Sequence, residues 1–194
     1  TRLNHSVLAD LEMIWVEPGT FIYGSPEGGI GRGTDETECN VTLTQGFYLG
    51  KYEVTQAQYK EVMGGISSYS ISSSPSQFSG QSGRPVERVS WNDIQIFLER
   101  LNDREVNNMP LGWRYILPTE AQWEYACKAG SKTMYSWGND INSTFANYGN
   151  FLGITQIAGQ YGANFWGFFD MHGNVWEWTA DLYGLRGSEH LFDP

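Results

Sequence analysis

Only two cysteines, Cys39 and Cys127, occur in these 194 residues, and they stand 88 positions apart. That spacing excludes the C-x-x-C pairs of zinc ribbons and thioredoxin-like redox motifs, and leaves one disulfide or two buried thiols as open alternatives. Basic side chains are also scarce, with 12 Lys and Arg against 22 Asp and Glu and a formal charge of −10. A nucleic-acid partner is not expected, because a phosphate backbone is bound by clustered Lys and Arg. The three histidines, His5, His172 and His190, show no H-x-x-x-H spacing. No apolar run approaches the ~20 residues that span a bilayer. The first ten residues, TRLNHSVLAD, lack the charged-then-apolar layout of a signal peptide. A soluble chain is expected; because it begins at Thr1 and not at Met, export after removal of a leader stays open and no compartment is assigned.

What the sequence has in quantity is apolar and aromatic matter: 40% hydrophobic residues, with 8 Trp, 11 Tyr and 10 Phe. That is ample for one packed domain over residues 1–194 and little more. Met13-Ile14-Trp15-Val16 and Phe21-Ile22-Tyr23 flank Pro18 and Gly19 and read as an opening hairpin. A second β region runs from Val41 to Tyr52, with Gly46 marking a kink or bulge. Three helices announce their starts through Thr55-x-x-Gln58, Ser90-x-x-Asp93 and Thr119-x-x-Gln122, each a capping hydroxyl three residues ahead of a side chain that can reach back. Ile94, Phe97, Leu98 and Leu101 give the second an apolar stripe, and Gly130 stops the third. Residues 64–85 hold nine serines and four glycines and are expected to form a mobile surface loop. Strands mixed with separate helices imply an α+β fold.

Seven blocks, in order, carry a resemblance: MIWVEPGTFIYGS, FYLGKYEVTQAQY, RPVERVSWNDIQIFLERLN, LPTEAQWEYACKAG, YSWGN, FANY and WGFFDMHGNVWEWTAD. Together they resemble the formylglycine-generating enzyme, or sulfatase-modifying-factor, family over roughly residues 13 to 181. The resemblance implies an elaborated C-type-lectin-like fold with few regular elements, long ordered loops and structural calcium. It also implies that the family's copper-binding cysteine pair would lie beyond LYGLRGSEHLFDP, residues 182–194, so the domain is expected to be C-terminally incomplete. Its remaining strands are then expected from a continuation or from another chain. Copper is expected only if those cysteines are supplied.

Cys39 follows the acidic run Thr34-Asp35-Glu36-Thr37-Glu38, and Cys127 sits inside the third helix. Neither setting favours a reactive thiolate, so no catalytic residue is assigned. The three histidines give no support for an iron site like that of the related sulfoxide synthases. The richest local chemistry is Asp170-Met171-His172-Gly173-Asn174-Val175-Trp176-Glu177-Trp178. If Val175–Trp178 is a strand, the two tryptophans share one face and Glu177 needs a partner on the other. Carboxylates of Asp170 and Glu177 with freed carbonyls make an oxygen cage suited to calcium. The resemblance implies the ligands Asp170, Gly173, Val175 and Glu177, a second calcium site starting at Asn147 and Tyr148, and Trp176 as a pocket wall. Two functions follow: a family enzyme whose catalytic segment lies outside these residues, or a non-catalytic C-type-lectin-like module that binds a protein or peptide ligand, as retroelement-diversified receptors do.

Overall fold

The computed structural model describes residues 11–29, 31–65, 71–149, 152–184 and 189–194. His5, residues 66–70 of the serine-rich stretch, and Asn150 and Phe151 lie outside the described residues. In chain order the elements are β1 (Met13–Val16), β2 (Gly19–Tyr23), β3 (Cys39–Leu43), β4 (Phe47–Gly50), α1 (Gln56–Met63), α2 (Trp91–Glu105), α3 (Glu120–Lys128) and β5 (Leu191–Phe192). The expected α+β character is present. Among the described residues no helix is long and apolar enough to cross a membrane.

The expected opening hairpin is not formed. β1 pairs antiparallel with β4, from Met13 opposite Gly50 to Val16 opposite Phe47. β2 pairs antiparallel with β3, and β5 adds to β3 in parallel. The two-residue link Glu17-Pro18 therefore carries the chain from one sheet to the other. The primed turns of two-residue hairpins need positive φ at the first central position or at both; Glu17, not a glycine, disfavours the first, and the ring of Pro18 forbids the second. Burial decides the partners: Val16 packs with Ala126, Cys127, Phe168 and Met171, whereas Tyr23 packs with Cys39, Val41, Leu43 and Ala121. Gly46, the expected kink, lets the chain pass the Trp15 indole so closely that a methyl group would collide with the ring.

All three helices start where the capping pattern places them. Thr55, Ser90 and Thr119 each accept from the backbone three residues on, and Gln58, Asp93 and Gln122 return the bond. Each such cap is worth about 1 kcal/mol. Phe97 and Leu101 of α2 pack on Tyr59, Val62 and Met63 of α1, with Tyr59 and Phe97 stacked at 5.5 Å between ring centroids. α3 lies under both sheets, giving Ala121 to one cluster and Ala126 and Cys127 to the other. It ends in two left-handed residues, Ala129 (φ 47°) and Gly130 (φ 79°).

The described part of the serine-rich stretch, residues 71–85, is held against α1. Gln56 N–H donates to the Arg84 carbonyl at 2.9 Å and Ala57 N–H to Ser82 at 3.0 Å, while Phe78 N–H donates to the Glu87 carboxylate at 2.9 Å. Pro85 is fully buried. Composition alone suggested a solvated loop because serine is polar, but here its backbone satisfies the unpaired groups at the start of α1.

Candidate functional site

The turn after Phe169 is built from left-handed residues. Asp170 (φ 57°) and Asn174 (φ 77°) bracket it, and Gly173 N–H closes it onto the Asp170 carbonyl at 3.1 Å. Asn174 then ties four segments together. Its backbone N–H donates to the Asn147 carbonyl at 2.7 Å, its side-chain oxygen accepts from Gln156 N–H at 2.8 Å, and its amide donates to Glu53 Oε2 at 2.7 Å. Glu53 Oε1 accepts from Val175 N–H at 3.2 Å. These bonds hold residues 174–175 in a turn, and no strand forms over Val175–Trp178. The expected alternation therefore fails: Trp176 is fully exposed and Trp178 is half exposed, its indole N–H donating to the Val89 carbonyl at 3.1 Å.

Glu53 was not singled out from the sequence. A signal was there, since it is a lone acid inside the mostly apolar run Phe47–Val54, and a buried charge in such a run needs partners. It is buried beneath the turn. Burial first, and then the carboxylates of Glu177 and Asp170, push its pKa up to about 9. Burial and Asp170 push Glu177 to about 7, and burial raises Asp170, whose Oδ2 accepts from Gly159 N–H at 2.6 Å. Glu177 is itself exposed, and its carboxyl neighbours the Trp123 indole. The Trp123 indole N–H faces it without closing a well-formed hydrogen bond. The expected ligands Asp170 and Glu177 are thus brought into one electrostatic cluster, and Glu53 joins them.

Gly173 packs its Cα on the Asn147 carbonyl oxygen, leaving no room for a methyl group. The two expected cation sites are therefore neighbours. Asn147 donates its amide to the Ile154 carbonyl at 2.9 Å and spends its backbone carbonyl on Asn174, leaving its side-chain oxygen as a donor atom, with Tyr148 beside it in the same cavity wall. Thr155, only 5% exposed, has a hydroxyl with no hydrogen-bond partner at this wall. Among the described residues no three His, Cys, Asp or Glu side chains form a ready metal-binding group.

Neither cysteine is in a disulfide, and the two are buried in different clusters. Cys127 S–H donates to the Met171 carbonyl at 3.4 Å, and burial drives its pKa far up. Both ring nitrogens of His172 lie 3.8 Å from this sulfur, so the ring presents its face rather than one nitrogen. His172 Nε2 accepts from Ser136 N–H at 3.1 Å, and burial lowers its pKa to about 4. A neutral imidazole whose Nε2 is already engaged does not activate a thiol.

Two cavities flank residues 175–178. The first, about 530 Å³, runs along β4 and α2 and is walled by Tyr48, Trp113, Ile116, Leu98 and Trp176, with Glu53 at its floor. The second, about 1070 Å³, opens on the other side and reaches from Asn147 to Tyr183. Trp176, the expected pocket wall, lines both; neither cysteine lines either.

Comparison with known proteins agrees with this architecture. The chain matches the Sulfatase-modifying factor enzyme 1-like domain over residues 5–190. It is 34% identical to the chaperone protein LppX of Paenibacillus barcinonensis across 76% of this chain and 66% of that protein. It is 25% identical to the formylglycine-generating enzyme of Mus musculus across 96% of this chain and 63% of that protein. The chain thus spans less than two thirds of the length of the mouse enzyme and about two thirds of the chaperone. Among solved structures, PvdO from Pseudomonas aeruginosa superposes with a TM-score of 0.75 at 27% identity, covering 89% of this chain and 71% of that one. The fold is the elaborated C-type-lectin-like fold that the resemblance implied. In sequence over nearly its whole length, and in fold, this chain belongs to the Sulfatase-modifying factor enzyme 1-like domain family.

Proposed function

We propose that these 194 residues act as a calcium-stabilised binding domain, with the first cavity as a groove for an extended apolar segment of a protein or peptide ligand, and not as a cysteine-oxidising catalyst. The observation that carries this reading is the pairing of an open apolar groove with two thiols closed away from it. Ligand pockets are concave and mostly apolar, with a few polar groups that orient the ligand. Here Trp113 and Trp176 supply the large apolar surfaces and Arg114 a charge at the wall. Copper does not fit the cysteines present: Cys39 and Cys127 occupy separate clusters, and Cys127 is held as a neutral thiol. The name of the LppX relative, a chaperone, points the same way.

Calcium suits the opposite side of the turn. Asp170 and Glu177 bring carboxylates, Gly173 and Val175 carbonyls, and Asn147 and Tyr148 a second set of oxygen donors, the hard-oxygen chemistry calcium takes. Burial raises the pKa of the half-buried Asp170, an acid with no cationic partner of its own. A bound divalent ion would supply one and so stabilise the fold by mass action.

Two measurements on one preparation test the proposal. Incubated with copper, dioxygen and a cysteine peptide derived from a sulfatase, the chain is expected to give no formylglycine by mass spectrometry. Panned against displayed peptides, it is expected to enrich extended apolar sequences whose binding is lost in Trp113→Ala. Turnover above the protein-free control, or peptides that bind Trp113→Ala unchanged, would overturn it.

A further inference from the structure

Three Asn-x-Ser/Thr triplets occur in the sequence: Asn4-His5-Ser6, Asn40-Val41-Thr42 and Asn142-Ser143-Thr144. The first lies outside the described residues, and the fold treats the other two in opposite ways. Asn142 opens a surface turn: its backbone carbonyl accepts from Phe145 N–H at 2.9 Å and its side-chain oxygen from Thr144 N–H at 2.8 Å. Both ends of the turn are anchored. Phe145 stacks on Trp137 with ring centroids 5.3 Å apart, and the Asp140 carbonyl accepts from the Trp137 indole N–H at 3.0 Å. Asn142 and Thr144 are both exposed, and among the described residues nothing hydrogen-bonds the Asn142 Nδ2 or the Thr144 hydroxyl. Asn40 is exposed too, but it belongs to β3, which lies between β2 and β5, and its neighbour Val41 is fully buried. The Thr42 hydroxyl is spent on Thr20 at 2.7 Å and on His190 at 2.8 Å.

We infer that Asn142 is an acceptor for an N-linked oligosaccharide and that Asn40, in the folded chain, is not. An Asn-x-Ser/Thr triplet without proline at its centre is the acceptor signal for this modification, and a surface loop is the context that supports it. The donor is an oligosaccharide carried on a lipid diphosphate. Asn142 Nδ2 forms a bond to the anomeric carbon of the first sugar, and the bond from that carbon to the phosphate oxygen breaks. The lipid diphosphate leaves with the electron pair and the amide gives up one proton, so nothing is oxidised or reduced. Such donors are presented where exported chains emerge, so it is an exported chain that would carry the glycan. A transferase has to grip its acceptor from both sides to bring the amide to the donor. A protruding turn permits that, as it permits a protease, whereas a middle strand is covered along both edges by its neighbours. The turn by itself does not call for this triplet: Asp closes such turns as Asn does, and the Thr144 hydroxyl plays no part in it. Asn142 lines neither cavity, so a glycan there leaves the groove open.

The test incubates the native full chain with an oligosaccharyltransferase and its lipid-linked donor, and maps the modified positions by mass spectrometry of glycopeptides. Most molecules are expected to carry the glycan at Asn142, with little or none at Asn40. Asn142→Asp, which keeps an acceptor for the Thr144 N–H, and Thr144→Ala, which keeps that N–H, should each abolish modification at position 142 without lowering the melting temperature. Thr144→Ser, which keeps the hydroxyl, should retain it. A synthetic peptide of residues 36–46 should be modified at Asn40, because there the strand is no longer covered. An unmodified Asn142 in the native chain, occupancy of Asn40 equal to that of Asn142, or modification that survives Thr144→Ala would each overturn the inference. Refusal of the 36–46 peptide would overturn the claim that the fold is what protects Asn40. Peptide binding through Trp113 is expected to be the same with and without the glycan, so failure here leaves the groove reading standing, and failure of the groove leaves Asn142 an acceptor.

Discussion

Glu53 and Asn174, 121 positions apart, meet at 2.7 Å through the carboxylate and the side-chain amide, and the second oxygen of Glu53 takes the Val175 N–H. That contact fixes how residues 174–178 leave the turn, and so where the two cavities divide. Glu53→Ala should leave two part-buried donors without this partner. At up to ~1–3 kcal/mol per group the loss is at most about 2–6 kcal/mol, a large part of a typical domain's stability. Glu53→Gln keeps one acceptor and should cost less, about 1–2 kcal/mol. Urea unfolding at saturating calcium reads both, and equal stability of Glu53→Ala and wild type would show that the turn holds itself.

The buried acids and His172 shape stability against pH, most clearly in excess chelator. His172 has its pKa lowered from 6.5 to about 4. Its contribution is present above 6.5 and is lost as pH falls toward 4, because there the unfolded chain binds a proton that the folded one refuses. Glu53, raised from 4.5 to about 9, works in the other direction. Its contribution is present below 4.5 and is lost as pH rises toward 9, because the unfolded chain releases a proton that the folded one keeps. His172→Gln should flatten the acid limb between 4 and 6.5, and Glu53→Gln the limb between 4.5 and 9. Each change corresponds to one proton, at most about 1.4 kcal/mol per pH unit. Melting curves across pH 4 to 9 decide it, and a wild-type profile reproduced by both variants would refute the assignment.

Local rules were the legible part of this fold. Thr55, Ser90 and Thr119 declare their helices because a cap is satisfied within four residues. The existence of β1 to β4 was equally readable, though β5 was not; strand partners were not readable either, since Val16 and Tyr23 are separated by one turn and buried in different clusters. Pairing is a matter of which core each strand reaches, and adjacent sequence does not encode that. The site shows the same division. Asp170, Gly173 and Glu177 stand out within one motif, whereas Glu53 reaches them only through a long-range bond. Val175–Trp178 has the alternation of a strand but not its structure, because Asn174 and Glu53 hold its first residue in a turn. The described part of the serine-rich stretch does lie at the surface, but composition could not show that its backbone also binds the start of α1.

Gly173 should tolerate no side chain. A β-carbon there would overlap the Asn147 carbonyl oxygen, and that carbonyl already accepts from Asn174. Backbone on backbone cannot yield as a side-chain tip can, so Gly173→Ala should cost about 1–3 kcal/mol by forcing the two loops apart. The same displacement should loosen both proposed calcium sites. The expected outcome is a lower melting temperature together with a smaller calcium-induced rise. A variant that melts like wild type, with and without chelator, would show that the loops are not packed as described.

Thiol reactivity gives the most direct check on the chemistry of the two cysteines. Alkylation needs a thiolate that a reagent can reach. Cys127 fails on both counts, because it is buried in α3, gives its S–H to the Met171 carbonyl, and has its pKa driven up first by burial and then by Glu124 and Glu177. Cys39 lies buried in β3, paired across the sheet with Tyr23. Native protein exposed to iodoacetamide at pH 8 should therefore remain unmodified, while protein in denaturant should take up a label at both positions. The two sites also predict different sensitivity to mutation. Cys127→Ser puts a hydroxyl among Val16, Ala126 and Phe168 but keeps a donor for the Met171 carbonyl, so it should cost less than Cys127→Leu, which overpacks the same cluster and leaves that carbonyl without its thiol. Peptide mapping of the alkylated protein separates the outcomes. Fast labelling of Cys127 in the native state would mean that the thiol is reachable and ionised, and the case for an inert structural cysteine would fall with it.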